Sequence, residues 1–303
     1  MKKKNDAPTI AVLIPMHNAH KTIDYTIASL HNQTVKADQI VIVDDCSDDA
    51  SLIKARELCP EAVVIALTEN VGAYHATMQG LKEVKCDYVV RCDSDDELTS
   101  GFIAKAKELL KLHPYDIISM PQLRIDHNNP ESKLYHAGLE KPSEYLDEPH
   151  CLEAFFANQI PWYITGKVIR TKNFQSVMLP TIPKKTYLDD VFMTMMIYAI
   201  SHSFICPDTS EGYVYHYGIG YYSSTKTNVS FEWWRQLMEV RIMQWNLNKD
   251  FLRKLGLQAY EEKLFNACEA TELFDTLPLL PCHSICDAVG LLKNFFTLRY
   301  KEW

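Results

Sequence analysis

Residues 39–49 read QIVIVDDCSDD, a nearly unbroken apolar run that ends in an acidic loop. Upstream, Ile10–Pro15 reads IAVLIP, and downstream, Tyr88–Asp93 reads YVVRCD. Continuous apolar runs of this length belong to parallel strands covered by helices on both faces, because a half-solvated strand would alternate apolar with polar. Helix-like segments at 21–32, 50–59, 73–83 and 101–112 fill the gaps, together with a further strand run at 62–67. Strand and helix in alternation predict a doubly wound α/β sheet over the first hundred residues.

After about residue 113 the alternation weakens, and Pro114, Pro121, Pro130, Pro142, Pro149 and Pro161 punctuate shorter elements as loop prolines do. A second half begins there. From about Phe231 the spacing of Trp233, Leu237, Val240, Met243 and Leu247 is helical, with a break at Pro278 and Pro281.

The 303 residues carry 31 basic and 39 acidic side chains, a formal charge of −8, so there is no overall field to attract nucleic acid. Hydrophobic residues at 47% and charged residues at 23% exclude a disordered or collagen-like chain. Nine cysteines, scattered singly, fit a reducing cytoplasm, and the closest pair, Cys282 and Cys286, lacks the spacing and the second pair of a structural zinc site. The start Met1–Lys4 looks like a secretory n-region, but Pro15, His17, Asn18 and His20 break up the apolar run behind it. No stretch approaches the ~18 apolar residues of a spanning helix. The expectation is a cytoplasmic protein, at most peripheral to a membrane, in which the sequons at Asn32 and Asn228 are chance matches.

Two acidic clusters follow strands. In an open parallel sheet ligands bind beyond the carboxyl ends of the strands, where Asp44 and Asp45 are placed to accept hydrogen bonds from a base or ribose. A turn-forming pair is the alternative. In the second cluster, Asp93-Ser94-Asp95-Asp96, an extended chain would point Asp93 and Asp95 into one site while Ser94 turns off it. Paired carboxylates beside a diphosphate suit Mg²⁺ or Mn²⁺, and a solvated acidic turn is the alternative. Two such clusters on one sheet point to one cleft. Glycine-rich phosphate loops are absent, since residues 15–19 read PMHNA and Gly218-Ile219-Gly220 lacks a third glycine. Dinucleotide dehydrogenases and P-loop NTPases are therefore disfavoured.

In this order and spacing the residues resemble the inverting family 2 glycosyltransferases of the GT-A fold, over about the first 225 positions. Pro15 and Asn18 match a P-x-Y-N opening with His17 in place of Tyr, and Asp44–Asp49 matches a DDxSxD segment. Asn70-Val71-Gly72 matches an N-x-G step, and Asp93-Ser94-Asp95 the DxD metal motif. Trp162 to Lys172 is similar to the stretch before the family's acidic pair, and Leu188-Asp189-Asp190-Val191-Phe192 stands where an E-D motif supplies the catalytic base.

The resemblance implies a Rossmann-like, mostly parallel sheet flanked by helices. Its nucleotide-sugar-binding half spans 1–120, its acceptor-binding half 121–228, and a C-terminal helical region 229–303. It implies Mn²⁺- or Mg²⁺-dependent transfer of a sugar from a nucleotide diphosphate donor, by default a UDP-sugar, to a hydroxyl of a glycan, glycolipid or glycoprotein. By the same resemblance Pro15, Asn18, Asn70, Gly72 and Ser94 belong to the donor site, Asp45 reads a uracil-type base, and Asp93 reads the ribose or the metal. Asp95 ligates the metal, and Asp190, beside Asp189, takes the acceptor proton. A carboxylate favoured by a helix dipole is the other reading of Asp190.

Two family arginines are missing. Ala76-Thr77-Met78 stands for an A-R-N triplet, and Tyr215-His216-Tyr217-Gly218 for a Tyr-Arg-type motif. The metal, His216 and Lys226 are left to offset the diphosphate, and His216 is a candidate further metal ligand. Trp162-Tyr163 and Tyr213, Tyr215, Tyr217, Tyr221 and Tyr222 are candidates for stacking on sugars or for the core. Ile285, Val289, Leu292 and Phe296 share a helical face near Lys293, Arg299, Lys301 and Trp303. Packing on the body or on a second copy is its expected use, and a membrane surface with lipid-linked acceptors the other. The rival activities are a sugar-phosphate nucleotidyltransferase, which would carry a glycine-rich basic loop after its first strand, and a nonenzymatic nucleotide-sugar-binding protein.

Overall fold

The computed structural model describes residues 7–129, 131, 135–136, 142–146, 151–157, 159–177, 189–219, 243–244 and 246–263. The chain divides into two compact units, Met1–Gly220 and Tyr221–Trp303.

In the first unit the chain runs β1 (Ile10–Met16), α1 (Ile23–His31), β2 (Gln39–Asp44), α2 (Ser51–Leu58), β3 (Val63–Ala66), α3 (Ala73–Glu83) and β4 (Tyr88–Arg91). It continues through β5 (Glu97–Leu98), α4 (Phe102–Leu112), β6 (Ile117–Ser119), β7 (Gln122–Asp126), β8 (Tyr135–His136), β9 (Ser143–Tyr145) and α5 (Leu152–Phe156). The remaining elements are β10 (Lys167–Arg170), α6 (Thr171–Ser176), α7 (Asp189–Ala199), β11 (Phe204–Cys206) and β12 (Tyr213–Tyr217). Eight strands form one sheet in the order β3-β2-β1-β4-β10-β6-β11-β9, and four form a second, β5-β12-β7-β8.

β1 pairs in parallel with β2 and β4, and β2 with β3, as helical crossovers require. β10 enters antiparallel between β4 and β6, and β9 is antiparallel to β11. The sheet is thus parallel over the first hundred residues and mixed beyond them. The short segments between the prolines supply β6 and β9, and β10 and β11 follow Pro161.

Every residue of β1 and β4 is buried, which is why their sequences do not alternate. Ile10, Val12, Ile14, Ile40, Ile42, Tyr88 and Val90 share one core with Ile23, Ala55, Phe102 and Ala106, brought by α1, α2 and α4. Burial of each such large aliphatic contributes about 1.5–3 kcal/mol. On the other face α3 lies so close that a Cβ on Gly80 would stand 2.2 Å from Leu13 Cδ1 and 2.9 Å from Val43 Cγ2. Arg91, ending the buried strand β4, is the one charged residue in these two central strands.

In the second unit, residues 246–254 are helical and lead into a 3-10 turn at Gln258–Tyr260. Arg253 closes this turn with a two-pronged ion pair to Glu261, at 2.7 and 2.8 Å. Tyr221, Tyr222, Lys226, Trp233, Cys282, Cys286 and the amphipathic face of 285–296 lie outside the described residues. Among the described residues no helix is long and apolar enough to cross a membrane.

Candidate active site

Because β1 lies between β2 and β4, with Met16 opposite Asp44 and Leu13 opposite Arg91, the carboxyl ends of the three strands are neighbours. The loops that leave them carry the acidic clusters, at the edge where open α/β sheets bind ligands.

The first cluster is a lock between loops. Asn18 and Cys46 both adopt left-handed backbone, with φ of 51° and 56°. The Asn18 N–H donates to Ser47 Oγ and the Asp48 N–H donates to Asn18 Oδ1, both at 3.0 Å, so Asn18 joins the loop after β1 to the loop after β2. Pro15 sits buried in β1, opposite Val43. Asp45 is buried and receives the N–H groups of Val71 and Gly72, one on each oxygen at 2.7 Å. Gly72, at φ 88°, turns the chain into α3. Asp45 therefore pins the N-x-G step, with Asn70 half-buried beside it. Asp44 is buried too: Oδ2 accepts the Ser47 N–H at 3.3 Å, while Oδ1 has no partner among the described residues.

Asp49 closes this loop by accepting the Ser51 N–H at 2.9 Å, the Ser51 hydroxyl, and a bond from the His20 ring at 2.7 Å. Desolvation works against its charge, but the bonds from Ser51 and His20 prevail and hold the carboxyl at about 2, below the ordinary 3.8. A depressed carboxylate stabilises the fold above its unfolded pKa and loses that contribution as pH falls through the folded value. Asp49→Ala is therefore expected to cost about 2 kcal/mol at neutral pH, with the deficit shrinking from pH 4 to pH 2 in denaturant melts.

The second cluster departs from the extended geometry expected of it. Asp93-Ser94-Asp95 is a turn, closed by the Asp96 N–H on the Asp93 carbonyl at 3.2 Å, with Ser94 buried. The cause is Asp96, which is drawn inward to accept the Tyr213 hydroxyl at 2.5 Å and the His216 N–H at 2.8 Å. Desolvation, and then the charges of Asp95 and Asp93, raise Asp96 well above the carboxylate range. The Tyr213 oxygen also accepts the Asp93 N–H at 3.1 Å, and Tyr25 donates to the Asp95 carbonyl at 3.0 Å.

Asp93 Oδ1 is held by Arg91 Nε and Nη2, each at 3.1 Å. No side chain among the described residues donates to the Asp95 carboxylate, which desolvation and the neighbouring Asp93 push up to about 6. Two hard carboxylates on one turn fit a divalent cation, whose charge would offset both penalties.

His216 is engaged at both ring nitrogens: Nε2 to Glu97 and Nδ1 to His127, each at 2.8 Å. Its ring also stacks on Tyr25 with centroids 4.9 Å apart. Metal ligation by His216 would require the exchange of one of these partners.

Asp190 lies in the first turn of α7, 26% exposed, with Oδ1 3.3 Å from Arg91 Nη1. Its place in that first turn fits a helix-start carboxylate, and its contact with Arg91 brings it beside the Asp93 turn. Asp189 opens α7, and its side chain lies outside the described residues. Arg91, only 5% exposed, joins Asp93 to Asp190, a role that its apolar strand context did not suggest.

At the positions of the missing arginines, Thr77 is 0% exposed and donates its hydroxyl to the Ala73 carbonyl at 2.7 Å inside α3. Gly218, at φ 100°, would press any Cβ to within 2.9 Å of Asn128 Nδ2. Of the aromatic candidates, Trp162 is 49% exposed, Tyr163 and Tyr213 are buried, and Tyr215 and Tyr217 are half-buried. Away from the cleft, His31, Cys59 and Glu61 gather within 4.8 Å, but His31 is paired with Glu61 at 2.8 Å. Desolvation, with help from Glu61, pushes the buried Cys59 thiol up to about 12.

The sequence model described as glycosyl transferase family 2 matches residues 11–170. A Bacillus subtilis protein named as a teichuronic acid biosynthesis glycosyltransferase, TuaG, is 32% identical over 109 residues, which are 35% of this chain and 43% of that one. The amylovoran biosynthesis glycosyltransferase AmsE of Erwinia amylovora is 31% identical over 115 residues, 36% of this chain and 43% of AmsE. The matches span less than half the length of these relatives. The crystal structure of S. aureus TarS 1-349 in complex with UDP-GlcNAc superposes with a TM-score of 0.70 at 18% identity, over 89% of this chain and 75% of TarS. That likeness is one of fold, and it identifies the sheet as the GT-A class.

Proposed function

The chain belongs to glycosyl transferase family 2, and on that premise we propose that it moves a sugar from a UDP-sugar to a hydroxyl of a polysaccharide acceptor, inverting the anomeric centre. The observation that carries this reading is the meeting of Asp93 and Asp190 on Arg91 where β4 ends and α7 begins, with Asp95 on the same turn as Asp93. The UDP-GlcNAc in the TarS crystal and the polymers named for TuaG and AmsE support the choice of donor and acceptor.

In this reading Asp45 and the step it pins receive the base, and Asp93 and Asp95 hold Mn²⁺ or Mg²⁺. A divalent ion there supplies Lewis acidity that offsets the charge of the departing nucleoside diphosphate. Asp190 accepts the proton of the acceptor hydroxyl as that oxygen attacks the anomeric carbon from the face opposite the leaving group. A nucleotidyltransferase is disfavoured because the loop that follows β1, beginning His17-Asn18-Ala19, opens with no glycine to approach a phosphate. A cytoplasmic setting, peripheral to a membrane at most, and self-association through the C-terminal region belong to the same proposal.

A panel of nucleotide sugars tests it. With Mn²⁺ present, the true donor at a hundredfold excess over its Kd should stabilise the protein by ~2.7 kcal/mol, and acceptor should then release free UDP. Stabilisation without release under any acceptor would make this a binding protein, and no stabilisation by any donor would end the reading.

A further inference from the structure

We propose that Arg91 is the positioning residue of this site, fastening the metal-binding turn and the base-bearing helix into one unit in a chain that lacks both expected arginines. The inference rests on the glycosyl-transfer reading and gives a role to a residue to which that reading assigns no chemistry.

A guanidinium that is 5% exposed on a central strand is tolerated only where carboxylates and hydrogen bonds replace its water. Here the fork is divided. Nε and Nη2 converge on Asp93 Oδ1 at 3.1 Å, and Nη1 turns to Asp190 Oδ1 at 3.3 Å. The two carboxylates come from segments far apart in the chain, and without the guanidinium between them they would repel each other.

The body of α7 is anchored independently, through Phe192 against Tyr74 of α3 at 6.1 Å between centroids. Packing therefore sets where the helix lies, and Arg91 sets where the first-turn carboxylate of Asp190 stands relative to the turn that would carry the donor. A misplacement of about 1 Å at such a point costs about 10² in rate. Lysine cannot substitute, because a single ammonium lacks the planar fork that addresses two carboxylates at once. Nor do the replaced positions compensate, since Thr77 is spent inside α3 and Gly218 carries no side chain.

The test is a double-mutant cycle of Arg91→Lys with Asp190→Asn, read in single-turnover transfer and in UDP affinity with Mn²⁺. Alone, Arg91→Lys should lower kcat by about 10- to 100-fold and change UDP affinity by less than about threefold. In the Asp190→Asn background it should cost less than about twofold, because the group it positions has lost its function. Equal losses in both backgrounds, or a loss located in UDP affinity, would overturn the proposal. Arg91→Gln enters the same cycle if Arg91→Lys melts early, and failure of both to fold would make Arg91 a residue of the fold and end the proposal. A wild type that transfers no sugar sinks the glycosyl-transfer reading, and this inference with it. A transferring wild type with an additive cycle sinks the role of Arg91 alone.

Discussion

Asp190→Asn is expected to slow sugar transfer by about 10²- to 10⁴-fold while leaving UDP affinity nearly unchanged. The amide keeps the size of the carboxylate and retains an oxygen toward Arg91 Nη1, so the contact at 3.3 Å can survive while basicity is lost. The first turn of α7 forfeits a helix-dipole interaction of about 0.3–1 kcal/mol, and Arg91 loses one charged partner while keeping Asp93, so thermal stability should fall modestly and the fold should persist. Asp189→Asn is the internal control, because only one carboxylate can occupy the line behind the anomeric carbon. Single-turnover rates beside UDP titrations separate a lost transition-state contact from a lost ground-state one. If Asp189→Asn is inactive and Asp190→Asn is not, the two roles exchange. If both variants transfer at the wild-type rate, the acidic pair is a helix start and nothing more.

Asp95→Asn should uncouple nucleotide from metal. Binding of UDP and of Mn²⁺ at a shared site must strengthen each other by the same factor, and couplings of this kind span about 5- to 150-fold. Calorimetry of UDP with Mn²⁺ and with chelator should show such a ratio for the wild type and a ratio near one for Asp95→Asn. Equal wild-type affinity under both conditions would remove the metal from Asp93 and Asp95.

The same substitution has a signature without ligand. Desolvation, and then Asp93, raise Asp95 from 3.8 to about 6, so its ionised form is penalised in the folded state. Its contribution to stability is present below pH 4 and lost as pH rises toward 6. Asp95→Asn should therefore leave the metal-free fold as stable as wild type or more so at neutral pH, and flatten the decline between pH 4 and 6. The buried Asp96, shifted in the same direction, retains the rest of that decline.

Much of the architecture is legible in the sequence because it is a matter of chain-local chemistry. The helix expected at 73–83 is Ala73–Glu83, that at 50–59 is Ser51–Leu58, and the strand runs near 10, 40 and 88 are β1, β2 and β4. A strand buried on both faces must be apolar throughout, and an amphipathic helix must repeat every three to four residues, so both leave their period in the sequence whatever surrounds them. The family resemblance groups Asp45, Asn70 and Gly72 in one donor site, and the hydrogen bonds of Asp45 to the amides of Val71 and Gly72 tie that loop together.

The pairings across the chain are not legible there. That β10 runs antiparallel between β4 and β6, and that β12 lies between β5 and β7, depends on which edges remain free once the parallel strands have formed, and no local period records it. Alternation predicts an extended DxD segment, and the turn propensity of aspartate a solvated turn; local sequence does not choose between them. The segment is a turn because Tyr213 and His216, on a strand more than a hundred residues away, draw Asp96 into the core. In the sequence Arg91 is an interruption in an apolar strand, and its meaning comes from Asp190, a carboxylate that reaches it only when α7 has docked. The sequence by itself determined the strands, the helices and the loops that hold the carboxylates, since hydrophobic period and backbone chemistry are properties of neighbours along the chain. Tertiary structure alone decided that the carboxylate of Asp190 meets Asp93 across the Arg91 guanidinium and that Asp96 is drawn into the core, because the energy of a charge is set by what surrounds it in space.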